Sequence, residues 1–434
     1  MIWDEHAECM KRSDMEGVQL DRLCQTVKRV YENVPFYRQA LDEKGMKPEN
    51  IRTLADISNL PFTTKDDIRE HYPYGLFSSP IKKIVRLHAS SGTTGKPTVV
   101  GYTKNDIDLW SEMVTRLVVA AGAREDDVAQ VAFGYGLFTG AFGLHYGLER
   151  LGATIVPAST GNTERQIMLM QDFGTTILVS TPSYALYLAE TAQSAGIEPR
   201  SLKIRLGLFG AEGCSDEMRQ EVERIWGISA VENYGMSEII GPGVSGECQC
   251  KQGLHINEDH FYPEIVNPVT GEVLPYGEFG ELVITTITKE GFPLLRYRTR
   301  DITSLNPEPC ACGRTLVRMT KVQGRTDDML KIRGVNVFPS QIESVLIGIE
   351  EVGNHYNIII RKKGFLDEID IVVELADESL LEDFRQLENL QNKVRHKLRV
   401  VLGIDANVRL VQPKTLARSE GKAKRIIDQR NQQE

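Results

Sequence analysis

A short loop at residues 90–97 concentrates the groups that bind phosphate. Its sequence, SSGTTGKP, combines hydroxyl side chains, two glycines and Lys96. Such a loop offers exposed backbone N–H groups, hydroxyl donors and one positive charge, which together suit a polyphosphate. It does not match the P-loop of kinases and GTPases, because only two residues separate Gly92 from Gly95 and because Pro97 follows the lysine. The competing interpretation is a flexible turn.

Four of the seven cysteines and one histidine cluster in two short segments, 248–255 and 310–312. Three cysteines and one histidine satisfy tetrahedral zinc. We expect the ligands to be Cys248, His255, Cys310 and Cys312, with Cys250 left over. The spacing is looser than that of paired C-x-x-C motifs, so free buried thiols are the alternative. Four protein ligands leave no position for a substrate, so the zinc would be structural.

Short segments rich in β-branched residues alternate with helical patterns along the first half of the chain. The segments are IVRLHAS (84–90), ATIVPAS (153–159), TTILVST (175–181) and IRLGLFG (204–210). One helical pattern, SDEMRQEVERIW, has Ser215 as its predicted N-cap, and another covers residues 16–34 and ends at Pro35. The alternation predicts an α/β domain with a largely parallel sheet.

The pattern changes beyond about residue 326. Ser340 and Glu343 have the spacing of a capping box, two strands are predicted on either side of a turn near Gly364, and residues 379–402 are predicted to be helical. A small α+β domain of roughly a hundred residues would contain these elements.

Composition restricts the class of protein. The 434 residues are 41% hydrophobic and 26% charged, close to the averages for globular proteins. The net charge of −9 argues against nucleic-acid binding. There is no bilayer-spanning apolar stretch, and the acidic, polar N-terminus does not resemble a signal peptide. We expect a cytoplasmic protein without membrane contacts, whose odd number of cysteines makes a disulfide framework a poor prediction.

Five further motifs follow the loop in order. They are Gly210-Ala211-Glu212, Asn233-Tyr234-Gly235-Met236-Ser237-Glu238, Tyr297-Arg298-Thr299-Arg300-Asp301, Gly324-Arg325-Thr326-Asp327-Asp328 and Ser419-Glu420-Gly421-Lys422. With these motifs the chain resembles the adenylate-forming superfamily. Through LPFTTKDDIR, ENYGMSEI, GLHINEDHFYPEI and LARSEGKAKRI it is similar to phenylacetate–coenzyme A ligases, over nearly its whole length.

The resemblance implies an α/β fold with two domains. A large N-terminal domain, residues 1–325, would bind ATP and an aryl acid and would carry a zinc-stapled insertion at about 246–315. A small, mobile C-terminal α+β lid domain, residues 326–434, would rotate about a hinge at Asp327 between the two half-reactions.

The resemblance also assigns the nucleotide site. Phosphates would be held by the loop, Glu238 would help to hold Mg²⁺, Tyr234 would flank the adenine, and Asp301 would accept hydrogen bonds from the ribose with Arg325 nearby. The full nucleotide-binding set is Ser90, Ser91, Gly92, Thr93, Thr94, Gly95, Lys96, Ala211, Glu212, Asn233, Tyr234, Gly235, Met236, Ser237, Asp301 and Arg325. One departure is Arg300, which stands where the superfamily usually has glycine.

Two lysines are implied to act in catalysis. Lys422 would approach the carboxylate and α-phosphate from the small domain, although composition alone makes it a solvated residue in a basic tail. Lys65 would add a phosphate contact, against the alternative of a surface lysine at the start of a helix. None of the cysteines is expected to act as a nucleophile.

An aromatic, glycine-rich stretch at residues 133–142 corresponds to the acyl pocket of the family. The expected pocket residues are Phe133, Tyr135, Phe138, Ala141 and Phe142. Ordinary core packing is the competing interpretation of so many aromatic residues.

The resemblance therefore implies an ATP-dependent ligase that joins phenylacetate or a close aryl acid to coenzyme A through an acyl-adenylate, giving aryl-CoA, AMP and pyrophosphate. Required partners would be ATP, Mg²⁺, coenzyme A and structural zinc, with a possible homodimer. Alternatives are another aryl acid, another acceptor, or a non-catalytic sensor of nucleotides or acyl metabolites.

Overall fold

The computed structural model describes residues 1–90, 97–326, 330–332, 335–363, 366–419, 423 and 425–430. No helix in this part of the chain has the length and apolar character needed to cross a membrane.

The N-terminal region is helical. Its helices are α1 (Glu5–Glu8), α2 (Arg12–Asn33), α3 (Pro35–Glu43) and α4 (Lys65–Glu70). The helix predicted over residues 16–34 is confirmed and begins four residues earlier. Its apolar face, including Leu23, Val27 and Val30, is fully buried. Pro35 ends α2 and opens α3, because its fixed φ suits a first helical turn where its missing N–H costs nothing.

The strand predicted at residues 84–90 forms, but it does not join the parallel sheet. Strand β1 (Ile84–Ala89) pairs antiparallel with β2 (Val99–Thr103) in a two-stranded sheet of its own. A parallel partner needs a crossover of a dozen or more residues, whereas residues 90–98 allow only a hairpin. The prediction of a parallel partner for this strand was therefore wrong.

A parallel α/β unit follows. Its elements are α5 (Lys104–Ala121), β3 (Val128–Val131), α6 (Gly140–Leu151), β4 (Thr154–Val156), α7 (Thr163–Asp172), β5 (Ile177–Ser180), α8 (Pro182–Ser194), β6 (Leu206–Phe209), α9 (Asp216–Trp226) and β7 (Ser229–Met236). The parallel strands lie in the order β4-β3-β5-β6-β7. Ser215 caps α9 as predicted, since its Oγ accepts a hydrogen bond from Met218 N at 3.1 Å.

The next strands are antiparallel. They are β8 (Gly241–Glu247), β9 (Leu254–Ile256), β10 (Phe261–Val266), β11 (Gly280–Thr286), β12 (Tyr297–Thr303), β13 (Leu305–Asn306), β14 (Arg318–Met319) and β15 (Gly324–Arg325). Strands β8, β9, β14 and β13 extend the main sheet beyond β7, while β10, β11, β12 and β15 form a second sheet. Residues 246–315 thus contribute strands to both sheets.

The C-terminal part has its own sheet and apolar core. Its elements are β16 (Leu330–Ile332), β17 (Val335–Val337), α10 (Pro339–Ile347), β18 (Val352–Lys363), β19 (Leu366–Leu375), α11 (Phe384–Leu402), β20 (Asn407–Val411) and β21 (Ile426–Asp428). The sheet order is β20-β19-β18-β21. The core lies between this sheet and the two helices. The paired strands and the long helix were predicted, and Gly364 lies outside the described residues.

The predicted capping box at Ser340 and Glu343 was wrong. Pro339 occupies the first position of α10, so Phe338 is the N-cap and its backbone N–H donates to Gln341 Oε1 at 3.0 Å. Proline favours this first position, so the helix begins two residues closer to the N-terminus than predicted. Ser340 instead donates to the carbonyl of Gln323.

Candidate active site

The two ends of the phosphate-type loop meet at the tip of the β1–β2 hairpin. Ser90 N donates to the Thr98 carbonyl at 3.0 Å, and Thr98 Oγ1 donates to Ser90 Oγ at 2.6 Å. Ser91, Gly92, Thr93, Thr94, Gly95 and Lys96 lie outside the described residues. The loop therefore leaves and rejoins the protein at one point, marked by two hydroxyls.

Glu238 lies at this point. Its Oε1 is 3.0 Å from Thr98 Oγ1 and 3.3 Å from Lys65 Nζ, and its side chain is only 4% exposed. Lys65 is the first residue of α4, where Thr64 acts as the N-cap. The structure thus brings a buried carboxylate and a lysine to the base of the loop, which is the environment expected for a cation and an anionic ligand.

Contacts from neighbouring elements hold the turn that carries Glu238. Lys289 is buried and donates to the Ile239 carbonyl at 2.5 Å, and burial lowers the pKa of Lys289 to about 7. Just before this turn, a Cβ at Gly235 would lie 1.8 Å from the Gly241 carbonyl oxygen, so only glycine fits there. Ser237 Oγ lies 3.0 Å from Thr139 Oγ1. These contacts fix the chain path between Tyr234 and Glu238.

Tyr234 connects the two sheets. Its hydroxyl donates to Asp301 Oδ2 at 2.6 Å, and Arg325 Nη1 donates to Asp301 Oδ1 at 3.1 Å. Asp301 and Arg325 are direct partners in the β12–β15 pairing. Burial, followed by the Asp301 carboxylate, raises the pKa of Tyr234, so its hydroxyl keeps its proton. The three residues predicted for adenine and ribose are therefore adjacent.

The Gly-Ala-Glu motif follows β6. Ala211 adopts a left-handed φ of 68°, and Asn233 Nδ2 donates to the Phe209 carbonyl at 2.7 Å. Glu212 uses both carboxylate oxygens: Oε1 accepts from Ser183 N at 2.8 Å, and Oε2 accepts from Ala423 N at 3.2 Å. A residue predicted only as a nucleotide contact thus joins the large domain to the C-terminal segment. Met236 is half-buried beside these groups.

The structure separates the predicted pocket residues into groups. Tyr135 and Phe142 meet edge to face with ring centroids 5.3 Å apart. The Tyr135 hydroxyl lies 3.0 Å from His145 Nδ1. Phe133 and Ala141 are buried in the core, whereas Phe138 is 41% exposed. Tyr135 and Phe142 are therefore the pair that forms an aromatic wall.

The four predicted zinc ligands converge. The ligand atoms of Cys248, His255, Cys310 and Cys312 all lie within 4.8 Å of one another, while Cys250 is exposed. Burial, aided by Arg314, lowers the pKa of His255 to about 3, so the imidazole is neutral.

Burial raises the pKa of Cys248 and Cys310, whereas the pKa of Cys312 is lowered. Burial alone would raise the pKa of Cys312, but hydrogen bonds from the backbone and side chain of Arg314 and from the neighbouring cysteines lower it below its usual value. A thiolate and a neutral imidazole are the forms that bind a metal ion.

Some predicted residues cannot be placed and others were missed. Asp327 and Lys422 lie outside the described residues. Thr98 and Lys289 contact Glu238 or its turn but were not predicted. Thr98 directly follows SSGTTGKP, so its hydroxyl could have been predicted as part of the site from the sequence. Lys289 lies between β11 and β12 outside any motif, so nothing in the sequence was a reason to select it.

Arg300 has a structural explanation. Its φ of 70° lies in the left-handed region that favours glycine. Its backbone N–H donates to Glu281 Oε1 at 3.1 Å, and its carbonyl accepts from Thr326 N at 2.8 Å. These hydrogen bonds hold Arg300 in a backbone conformation that glycine would adopt without strain. The arginine therefore has to bear the strain.

Comparison with known families identifies the chain as an AMP-binding enzyme. Residues 38–288 match the model of the AMP-binding enzymes, and residues 334–430 match that of the AMP-binding enzyme C-terminal domain. The phenylacetate–coenzyme A ligase of Thermus thermophilus is 48% identical over 99% of this chain and 100% of its own. The enzyme of that name from Escherichia coli is 48% identical over 96% and 95%.

Solved structures add information on the arrangement of the two domains. A 2-hydroxyisobutyryl-CoA ligase in the postadenylation state with 2-HIB-AMP, 29% identical, superposes with a TM-score of 0.93 over 98% of this chain and 92% of that one. The same ligase with 2-HIB-AMP and CoA in the thioesterification state, 30% identical, gives 0.74 over 99% and 93%. The relative placement of the two domains here is therefore more similar to that ligase's postadenylation structure than to its thioesterification structure.

Replacing Arg300 tests the backbone strain. Arg300→Ala and Arg300→Gly both remove the side chain, but only alanine keeps a Cβ in the left-handed region, which costs about 1–2 kcal/mol. We expect the glycine variant to have the higher free energy of unfolding in urea, by about 1 kcal/mol. An alanine variant as stable as the glycine variant would show that this position carries no strain.

Proposed function

The chain belongs to the phenylacetate–coenzyme A ligases within the AMP-binding enzymes, and on that premise we propose that this site forms a phenylacetyl-adenylate from ATP and transfers the acyl group to coenzyme A. The main support is the segment from Tyr234 to Glu238. One end contacts Asp301, the proposed ribose acceptor, and the other end meets the loop base at Thr98. This one short segment would thus connect the proposed nucleoside subsite to the proposed phosphate subsite.

The first half-reaction joins two anions. A carboxylate oxygen of the acid attacks the α-phosphorus of ATP, the bond to the bridging oxygen breaks, and pyrophosphate leaves. Positioning and charge neutralisation therefore carry most of the catalysis. The proposed groups are the loop residues Ser90 to Lys96, Lys65, and Lys422 from the small domain.

Mg²⁺ fits Glu238. This carboxylate is buried at the loop base and already lies beside a cation, Lys65. When bound, the ion would neutralise phosphate charge and help to hold the polyphosphate in line. Glu238 would supply one oxygen ligand, and Lys65 would turn to a phosphate oxygen.

The second half-reaction uses a thiol of the substrate. The coenzyme A sulfur attacks the acyl carbonyl carbon and loses its proton, and AMP leaves with the electrons of the acyl–oxygen bond. No protein nucleophile is needed, and the cysteines have other surroundings: Cys248 and Cys310 lie in the metal-type cluster and Cys214 is buried.

An aryl acid fits the aromatic wall of Tyr135 and Phe142. Because the Tyr135 hydroxyl is engaged by His145, the wall presents ring carbon to a ligand. The Arg86 guanidinium lies 5.3 Å from the centroid of the Phe142 ring, a cation–π contact that helps to fix the ring. An apolar ring such as that of phenylacetate would pack against this wall.

Structural zinc fits the cysteine cluster. With Zn–S and Zn–N lengths of about 2.3 and 2.05 Å, ideal tetrahedral geometry places two sulfurs about 3.8 Å apart and a sulfur and nitrogen about 3.6 Å apart. Cys248 Sγ and Cys310 Sγ lie 3.8 Å apart, and Cys312 Sγ and His255 Nε2 lie 3.5 Å apart. A zinc ion would join residues 248–255 to residues 310–312.

An acid panel tests the proposed function. We expect the purified protein with ATP, Mg²⁺ and coenzyme A to release AMP and form thioester in equal amounts, fastest with phenylacetate. Without coenzyme A, pyrophosphate exchange should persist, and Lys422→Ala should lose it by at least about 100-fold as an electrostatic contact to the transition state is removed. Benzoate or an aliphatic acid as the best substrate would contradict the choice of acid, and no turnover with any acid would contradict the function.

Elemental analysis tests the zinc proposal. The protein as purified should contain about one zinc per chain. Cys310→Ser should lose the metal and lower the melting temperature, because an apo cluster leaves buried thiols and an imidazole without the ion that joins them. Cys250→Ser is the matched control and should keep both. A metal-free wild type, or metal loss in the Cys250 variant, would contradict the ligand set.

A further inference from the structure

The small domain contacts the large domain on both sides of Lys422. Before it in sequence, Arg418 Nε lies 3.5 Å from Glu190 Oε2 on α8. Directly after it, Ala423 N donates to Glu212 Oε2 at 3.2 Å. From β18, His355 Nε2 donates to Glu190 Oε1 at 2.8 Å. Two carboxylates of the large domain, Glu190 and Glu212, thus contact described residues that precede and follow Lys422 in the sequence.

Glu190 is the centre of this contact. One oxygen faces His355 of the sheet, and the other faces Arg418 of the C-terminal segment. The Glu190 side chain is 35% exposed, whereas those of His355 and Arg418 are 16% and 15% exposed. Water thus reaches the Glu190 carboxylate, which is a surface group contacted by a partly enclosed histidine and a partly enclosed arginine of the small domain.

Arg418 is fixed within its own domain. Its Nη1 and Nη2 donate to Glu374 Oε1 and Oε2 at 2.8 and 2.9 Å. This bidentate pair makes Arg418 a rigid part of the small domain and leaves its Nε for Glu190. Loss of Glu190 would therefore leave no unpaired buried charge, and the fold of either domain should persist.

These contacts belong to one arrangement of the domains. The structure matches a ligase in the postadenylation state far better than the same ligase in the thioesterification state. Rotation of the small domain away from α8 separates Glu190 from both partners. In the proposed function this arrangement serves the first half-reaction, so the contact would stabilise it, because an interaction made in one state shifts the equilibrium toward that state.

We propose that Glu190 is a positioning residue for the first half-reaction, holding His355 and Arg418 so that the small domain stays docked while the acyl-adenylate forms. The inference rests on the proposed two-step function. Glu190 touches neither substrate in this account. It acts through the segment on either side of Lys422, so its removal should slow adenylation and spare thioester formation.

The experiment compares Glu190→Ala, Glu190→Gln and His355→Ala with Glu198→Ala. Glu198 is an exposed carboxylate near the end of α8, and among the described residues its side chain makes no hydrogen bond or ion pair with the small domain. Pyrophosphate exchange with phenylacetate measures the first half-reaction. Thioester formation from supplied phenylacetyl-adenylate and coenzyme A measures the second. Hydrogen exchange at the Ala423 amide reports on docking without turnover.

Glu190→Ala should reduce pyrophosphate exchange about five-fold, leave thioester formation unchanged or faster, and speed exchange at Ala423 about five-fold, as expected for exposed charge contacts. The rate of pyrophosphate exchange in Glu190→Gln should lie between those of Glu190→Ala and wild type. Glutamine keeps an acceptor for His355 but loses the charge that faces Arg418. The double variant Glu190→Ala with His355→Ala should be no slower than Glu190→Ala.

An unchanged first half-reaction, or an equal loss in both half-reactions, would overturn the proposal. A wild type that forms no adenylate from any acid would instead contradict the proposed function, and the Ala423 exchange would still decide whether Glu190 docks the small domain. Slower adenylation in the Glu198 control would also overturn the role assigned to Glu190.

Discussion

The segment from Tyr234 to Glu238, which covers the end of β7 and the start of the following turn, is the constraint on which the site depends. It packs closely against the Gly241 carbonyl at Gly235, and the buried Lys289 donates to the carbonyl of the next residue, Ile239. The tight approach at Gly235 and the lysine behind Ile239 leave this path little freedom. Because Tyr234 contacts Asp301 and Glu238 contacts Thr98, this segment sets the distance between the proposed nucleoside and phosphate subsites.

Sequence reasoning identified this site through ordered motifs, and the reason is physical. In the proposed function each motif lies where the backbone would approach a ligand, so its glycines and hydroxyls are required at fixed positions. The parallel half of the main sheet was also predictable, because helices on both faces make its strands short apolar runs. Ser215 carried a clear capping signal, and the structure confirms it.

The sequence predictions failed for two reasons: a local signal was outweighed by another local signal, or a contact joins residues far apart in the chain. The pairing of β1 with β2 rather than with the main sheet follows from a short connection and not from strand composition. The frame of α10 is set by Pro339, which a capping pattern alone overlooks. Lys289 and Glu190 are single residues whose roles arise from groups 50 and 165 positions away, and no local pattern announces such contacts.

In the proposed function, the small domain takes part in both half-reactions. It has its own core, so it can move as a unit, and its described polar contacts with α8 and the Gly-Ala-Glu motif are few and partly exposed. Contacts of this kind are worth about 0–1 kcal/mol each, enough to favour docking and weak enough to release. A site that must first exclude water around an adenylate and then admit a thiol requires that balance.

Isotope transfer tests the acyl-adenylate most directly. With phenylacetate labelled by ¹⁸O in both carboxylate oxygens, attack of the acid on the α-phosphorus should leave one ¹⁸O in each AMP, detected by mass spectrometry, and the thioester should retain the other. AMP without ¹⁸O, or label found in inorganic phosphate together with ADP, would contradict the account.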